Sequence, residues 1–175
     1  RRDAGIRTMK MSDGVEWAAH CVLLLGVLPP QTRLSGKAMA DFHGVPESYL
    51  LKHLKALAKA GILVSVPGPA GGYSLGRDTS QISLLDIVRA VDGPGAAFRC
   101  TDIRRRGPCS LDDDAAYPRP CGINRAMLRA EQDYRAALAR EKIGDLIAEF
   151  AASVDPRLLA LGEKWISENI RGAVQ

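Results

Sequence analysis

Residues 45–75 read VPESYLLKHLKALAKAGILVSVPGPAGGYSL, and their pattern decides the fold. Pro46 suits the first turn of a helix and Ala60-Gly61 its end, because proline lacks an amide hydrogen and glycine tolerates a left-handed cap. Between them Leu50, Leu54 and Leu57 recur on one face, flanked by Leu51 and Ala58. Ser48, Lys52, Lys55 and Lys59 fall on the opposite face, with Tyr49 and His53 beside them. Directly afterwards, 62–66 and 72–75 read as two short strands joined by the turn Pro67-Gly68-Pro69-Ala70-Gly71. An amphipathic helix followed at once by a glycine-rich hairpin predicts a helix with a wing.

The flanking segments complete that reading. Upstream, Ser12 or Asp13 caps a helix through Val15, Trp17, Ala18, Cys21, Val22, Leu25 and Leu28, and Pro29-Pro30 ends it. With Asp13 as the cap, Glu16 stands where it completes a capping box. A second helix over about 34–42 turns Leu34, Ala38 and Met39 inward and stops at His43-Gly44. Three helices with short joints fit a helix-turn-helix. Residues 83–91 form a further short amphipathic helix. Beyond a loop at about 95–121, Ile123, Met127, Ala130, Tyr134 and Ala137 trace an apolar stripe along a long helix. The chain restarts near Ile143-Gly144-Asp145, and a last helix opens at Asp155-Pro156 with Leu158, Leu161 and Trp165. The expected fold is mainly α with a small β-hairpin: a winged helix-turn-helix plus a long dimerisation helix. Its parts are an ill-ordered arm (1–8), the winged head (9–93), a cysteine-bearing loop (94–121), and dimerisation and C-terminal helices (122–175).

Composition narrows the class. A chain of 175 residues with 46% hydrophobic content buries an ordinary core. The longest apolar run, Cys21 to Leu28, is far too short to span a bilayer, and the polar start carries no secretory segment. The expected compartment is the reducing cytoplasm, with no membrane partner. There, clustered cysteines more often serve metals or redox chemistry than structural disulfides. A net charge of +4 permits nucleic-acid binding without demanding it. No nucleotide fingerprint or catalytic set is present, so an enzyme is not expected, and an electron-transfer protein stands as the outlying alternative.

The polar face of the third helix suits double-stranded DNA. Ser48, Tyr49, Lys52 and Lys55 lie where such a helix meets base edges and phosphates. Gly71 and Gly72 let the wing backbone approach phosphate, and Arg77 stands just past the second strand. A plainly solvated basic face is the other reading of the same residues.

Cys100, Cys109 and Cys121 share an arginine- and proline-rich loop with little apolar content, so something other than packing holds it. Thiolates select iron–sulfur clusters, zinc or copper(I). Gaps of eight and eleven residues match no short-paired zinc pattern. A metal-free thiol switch also fits, with Arg99, Arg104, Arg105, Arg106 and Arg119 favouring thiolate. Glu16 and His20, four apart, share a helix face and can converge on one metal. Their ordinary roles are a cap and a half-buried histidine, and Cys21 reads as core.

The runs Val45-Pro46-Glu47-Ser48-Tyr49-Leu50, Leu57-Ala58-Lys59-Ala60-Gly61-Ile62-Leu63, Gly68-Pro69-Ala70-Gly71-Gly72-Tyr73 and the segment 83–93 resemble the Rrf2 family of winged-helix repressors. That family includes the iron–sulfur cluster regulator and a nitric-oxide-sensing repressor. The resemblance implies a homodimer on a pseudo-palindromic operator, joined through the helix after the cysteine loop. Members with a four-iron cluster space their cysteines more tightly than this chain does. The segments around Glu16 and His20, Cys100 and Cys121 instead resemble a redox-sensing branch with a [2Fe–2S] cluster. Carried over, the ligands are Cys100 and Cys121 of one subunit with Glu16 and His20 of the other, and Cys109 is the rival ligand. Such a set lowers the cluster's negative charge relative to four thiolates and eases electron uptake, as in His-ligated centres. Pro67 departs from the family, many of whose members carry a basic residue there.

Overall fold

The leucine face of the third helix is fully enclosed, with Leu50, Leu54 and Leu57 at 0% exposure. In the computed structural model, which describes residues 11–30 and 32–172, these leucines belong to α3 (Glu47–Lys59). Around it pack α1 (Asp13–Gly26), α2 (Gly36–His43) and α4 (Leu84–Asp92). Val22, Leu34, Met39, Ile62, Ile82, Ile87 and Ile143 fill the space between them. The expected arm at 1–8 lies outside the described residues.

The wing is a two-stranded antiparallel hairpin. β1 (Leu63–Val66) pairs with β2 (Gly72–Leu75), Leu63 opposite Leu75 and Val66 opposite Gly72. A third segment extends it: the N–H of Leu34 donates to Tyr73 O at 3.1 Å, and that of Tyr73 to Leu34 O at 2.8 Å. Leu34 was expected on the second helix, but that helix begins at Gly36. Ser35 starts it, its hydroxyl oxygen accepting from Ala38 N–H at 3.0 Å. Leu34 is left extended and buried beneath the wing.

Two other local expectations change. The Asp13–Glu16 capping box does not form, because the N-cap is Ser12. Its hydroxyl reaches across the head to Asp92 Oδ1 at 2.5 Å, tying the start of α1 to the end of α4. The capping box lies instead on α4, where Ser83 N–H donates to Asp86 and Asp86 N–H donates back to the Ser83 hydroxyl. His53, expected beside the polar face of α3, is buried. It packs on Gly14, where any side chain would meet the imidazole: a Cβ would sit 2.2 Å from its Cε1.

α5 (Gly122–Arg140) runs along α4 and returns the chain to the head. Leu84 N–H donates to Glu141 O, and Ile143 N–H to Ile82 O at 2.9 Å. α6 (Ile143–Ser153) then packs on α1. α7 (Pro156–Asn169), capped by Asp155, sets Trp165 against Phe42 of α2 with ring centroids 4.8 Å apart. Among the described residues no helix is long and apolar enough to cross a membrane.

Gly72 holds the join between wing and head. Its φ of +147° suits glycine, and a Cβ would lie 2.6 Å from Leu34 O. Gly72→Ala is expected to cost about 1–3 kcal/mol and to speed amide exchange at Tyr73. Chemical denaturation and hydrogen exchange check this, and wild-type values for both would refute it.

Candidate metal centre and nucleic-acid interface

Burial of the leucines turns Ser48, Tyr49, Lys52, Lys55 and Lys59 to solvent on one side of α3. Tyr49 stays 54% exposed while its ring meets Trp17 edge-on at 5.6 Å. At the wing, Gly68 takes a φ of +97°, and Gly71 N–H donates to Gly68 O at 2.9 Å to close the tip. Arg77 sits differently: it is half-buried, and its Nε is enclosed without a hydrogen-bond partner among the described residues. Its neighbour is Asp86. Burial pushes that carboxyl up, but the N–H and hydroxyl of Ser83, then Arg77 and Lys142, hold it below its usual range.

The cysteine loop is held by polar contacts, as its composition requires. Arg104 Nε donates to Asp102 Oδ1 at 2.6 Å, and Arg105 pairs with Asp114. The Tyr117 ring lies under Arg105 and Arg104, 4.7 and 5.5 Å from its centroid, and its hydroxyl donates to Arg104 O. Toward α5 the loop is anchored by buried Glu131. That carboxylate accepts from Ala97 N–H at 3.1 Å and from Arg135, whose Nη2 also reaches Gly95 O at 2.7 Å.

Within this frame the Sγ atoms of Cys100 and Cys121 and a carboxylate oxygen of Asp102 lie within 4.8 Å of one another. Cys109 is exposed and outside that group. The N–H of Asp102 donates to Cys100 Sγ at 3.4 Å. Cys121 is the N-cap of α5, which sets its sulfur beside the start of the helix, where the first amides have no intrahelical partner. Hydrogen bonds from the Asn124 and Ile123 amides, then from the Cys100 thiol, and the charge of Arg104 together lower its pKa against a smaller desolvation. The expected arginine effect is therefore secondary at Cys121, where helix amides lead. Asp102 escaped the sequence reading, and its signal was its place two residues after Cys100, next to the arginine run. It also takes a left-handed φ of 45°. Cys21 is enclosed in the core, and burial pushes its thiol up to about 12.

Glu16 and His20 both project from the outer face of α1 into solvent. His20 lies beside His43, ring centroids 5.7 Å apart. Burial, and then the neighbouring His20, pull the His43 pKa down to about 4. Within one chain, Glu16 and His20 are not part of the Cys100–Asp102–Cys121 group. On α5, Ile123, Met127, Ala130 and Tyr134 are exposed, Ile123 at 67%, and Ala137 is half-buried. This apolar stripe has no cover within the described chain.

A buried three-helix head, an outward basic helix and a hairpin wing define a winged-helix, DNA-binding transcription regulator. The chain belongs to the Rrf2 family, described as an iron-dependent transcriptional regulator, whose pattern matches residues 11–149. It is 38% identical over 164 residues to YwgB of Bacillus subtilis (strain 168), named as an HTH-type transcriptional regulator. The match covers 94% of this chain and 99% of that protein. Its fold is similar to that of CymR (YrzC), the global cysteine regulator of B. subtilis, with a TM-score of 0.60 at 22% identity over 81% of this chain and 98% of the other. It is also similar to T. potens IscR, with a TM-score of 0.59 at 20% identity over 86% of this chain and 96% of the other.

The cysteines should differ sharply in reactivity. At pH 7 in the native protein, iodoacetamide is expected to modify Cys121 and to spare Cys21, since thiolate and access are both needed. Peptide mapping by mass spectrometry reads this directly. Modification of Cys21 before Cys121 would refute the assignment.

Proposed function

We propose that this Rrf2-family regulator is a homodimer that senses redox state through a [2Fe–2S] cluster at its subunit interface. Cys100 and Cys121 of one subunit and Glu16 and His20 of the other would hold it. The observation that carries the reading is the meeting of Cys100 and Cys121 while Cys109 stays outside. The donor set fits: two accessible sulfurs, one accepting from the Asp102 amide and the other at the start of α5, suit thiolates under an iron ion. Glu16 and His20 are exposed on one helix face, where a second subunit can be reached. A cluster so ligated supplies a one-electron centre, less negative than one on four thiolates.

The chain's own groups then have separate tasks. The α5 amides lower the Cys121 pKa, and Arg104 offsets charge at the paired sulfurs. The imidazole of His20, exposed on α1, would offer a neutral nitrogen ligand in place of a third thiolate. Cys100 precedes the polar staple around Tyr117, and Cys121 begins α5. Events at the sulfurs therefore act on the dimerisation helix, and through it on the distance between two reading heads. Half-sites of a pseudo-palindromic operator lie about 34 Å apart, so modest rotations alter affinity. Contacts on DNA are assigned to Ser48, Tyr49, Lys52 and Lys55, with the wing backbone at Gly71 and Gly72 and with Arg77 in support. The protein works in the reducing cytoplasm and catalyses no reaction of its own.

A second reading is favoured by the closeness of the two sulfurs, within 4.8 Å of each other. Without a cluster, a peroxide can oxidise the pair: the two sulfurs join, giving up two protons and two electrons, and the peroxide is reduced to water. The protein would then be a metal-free thiol switch on the same helix.

Anaerobic spectra with iron and sulfide counts separate the two. Cys100→Ala and Cys121→Ala are expected to abolish the cluster, Cys109→Ala to leave colour and iron intact, and His20→Ala to change the redox potential and its pH dependence. Loss of the cluster in Cys109→Ala, with wild-type spectra for Glu16→Ala and His20→Ala, would replace this set by a three-cysteine site. A colourless, iron-free protein from anaerobic preparation would favour the thiol switch.

The dimer is tested by sedimentation. Ile123→Glu or Met127→Glu should shift the equilibrium toward monomer, because a charge in an apolar contact is costly to desolvate. A wild-type monomer at micromolar concentration, with and without cluster, would end the dimer assignment.

A further inference from the structure

The wing has an electrostatic gap. Between Lys59 and Arg77 the sequence holds no charged side chain, so the hairpin itself brings no cation to a phosphate. Arg77, just past the hairpin, is half-buried, with an enclosed Nε and Asp86 nearby. The C-terminal segment does reach the wing. Arg171 pairs its backbone with Arg33, N–H to carbonyl at 2.8 Å in each direction. The next residue, Leu34, pairs on the opposite edge with Tyr73 of β2. Consecutive residues of an extended strand send their amides to opposite sides, so the two pairings are compatible. The order across this small sheet is Arg171, then Arg33 and Leu34, then β2, then β1.

From that outer edge the Arg171 guanidinium returns to the wing tip. Its Nη1 donates to Pro69 O at 2.9 Å and to Gly71 O at 3.3 Å. These are contacts across 102 and 100 positions of chain, and they place a positive charge on the uncharged tip. The segment lies beyond residues 11–149, the part that matches the family pattern.

We propose that Arg171 is the DNA-phosphate ligand of the wing and the residue that positions its tip. The proposal rests on the DNA-binding reading above. A guanidinium has five N–H donors in a fixed plane, and Nη1 uses its two on the tip carbonyls. Among the described residues, Nε and Nη2 carry no hydrogen bond, which leaves three donors for a phosphodiester oxygen. The tip carbonyls hold the side chain in place before DNA arrives, so little ordering entropy is lost on contact. A phosphate contact of this kind fixes the wing on the duplex without reading its sequence.

The test is a titration of full-length protein on a fluorescein-labelled, mixed-sequence duplex of about 30 base pairs over a range of salt. Each phosphate contact contributes about 0.9 to the slope of log affinity against log salt. Arg171→Ala should flatten the slope by that amount, and Arg171→Lys should keep it. Arg157→Ala, an exposed arginine on α7 bonded to Asp155, should leave it unchanged. Hydrogen exchange in a peptide covering 67–73 should speed up in Arg171→Ala. A wild-type slope in Arg171→Ala, or equal flattening in Arg157→Ala, overturns the phosphate contact. Unchanged wing exchange overturns the positioning role. Absence of salt-dependent affinity in the wild-type chain overturns the DNA-binding reading and Arg171 with it, whereas wild-type affinity with an intact variant slope overturns Arg171 alone.

Discussion

Burial of one face of α3 is the constraint on which the rest depends. Leu50, Leu54 and Leu57 are each closed off from water, and each such side chain stabilises the head by about 1.5–3 kcal/mol. The Lys37–Asp41 pair, by comparison, lies in water and contributes little. The core therefore decides which way α3 is turned. Once its leucines face inward, the opposite face of the helix must face out, and Tyr49, Lys52 and Lys55 lie on it. The same enclosure ties α1 to α3 through Ala18, Cys21, Val22 and Leu25. α1 thus has two faces with two tasks: one supports the reading helix, and the other shows Glu16 and His20 to solvent.

The cysteine loop obeys a different regime. It has almost no apolar surface to bury, and arginine contacts to carboxylates, to carbonyls and to the Tyr117 ring hold it instead. Solvent-exposed contacts of this type are individually weak, so a few can be exchanged without disturbing the head. That separation suits a sensor, since the loop can answer a change at Cys100 or Cys121 while the leucine core stays intact. The loop is joined to the rest at defined points: Cys121 begins α5, and Glu131 with Arg135 grips residues 94–97. The helix that receives these contacts also carries the uncovered apolar stripe. One end of the cysteine pair and the uncovered stripe therefore share one element.

Two solved structures share this fold, one named as the global cysteine regulator CymR and the other as IscR. At this level of identity they speak for the fold alone. The chemistry must come from the site, and there the facts are specific to this chain: two sulfurs and a carboxylate within 4.8 Å of one another, and a third cysteine apart. Helix amides lower the Cys121 pKa whether that thiol holds a metal or reacts with an oxidant. That shared physical cause is why both readings use the same pair.

The sequence by itself determined the helices, the wing and the core. Those features follow from spacing: leucines at helical intervals must share a face, and Pro46, Gly61 and the glycine-rich tip mark ends and turns that few other residues allow. It also marked Cys100 and Cys121, through a resemblance and through a composition unable to pack. Tertiary structure decided what no local pattern encodes. Ser12 leaves its own helix for Asp92, eighty positions away. Leu34 gives up a helix to pair with Tyr73, His53 turns inward against Gly14, and Asp102 joins the two sulfurs. Arg171 reaches back to Pro69. Each of these is a polar or edge group whose partner is set by where distant elements come to rest, because a hydrogen bond requires contact and periodicity carries no record of which contacts the folded chain will make.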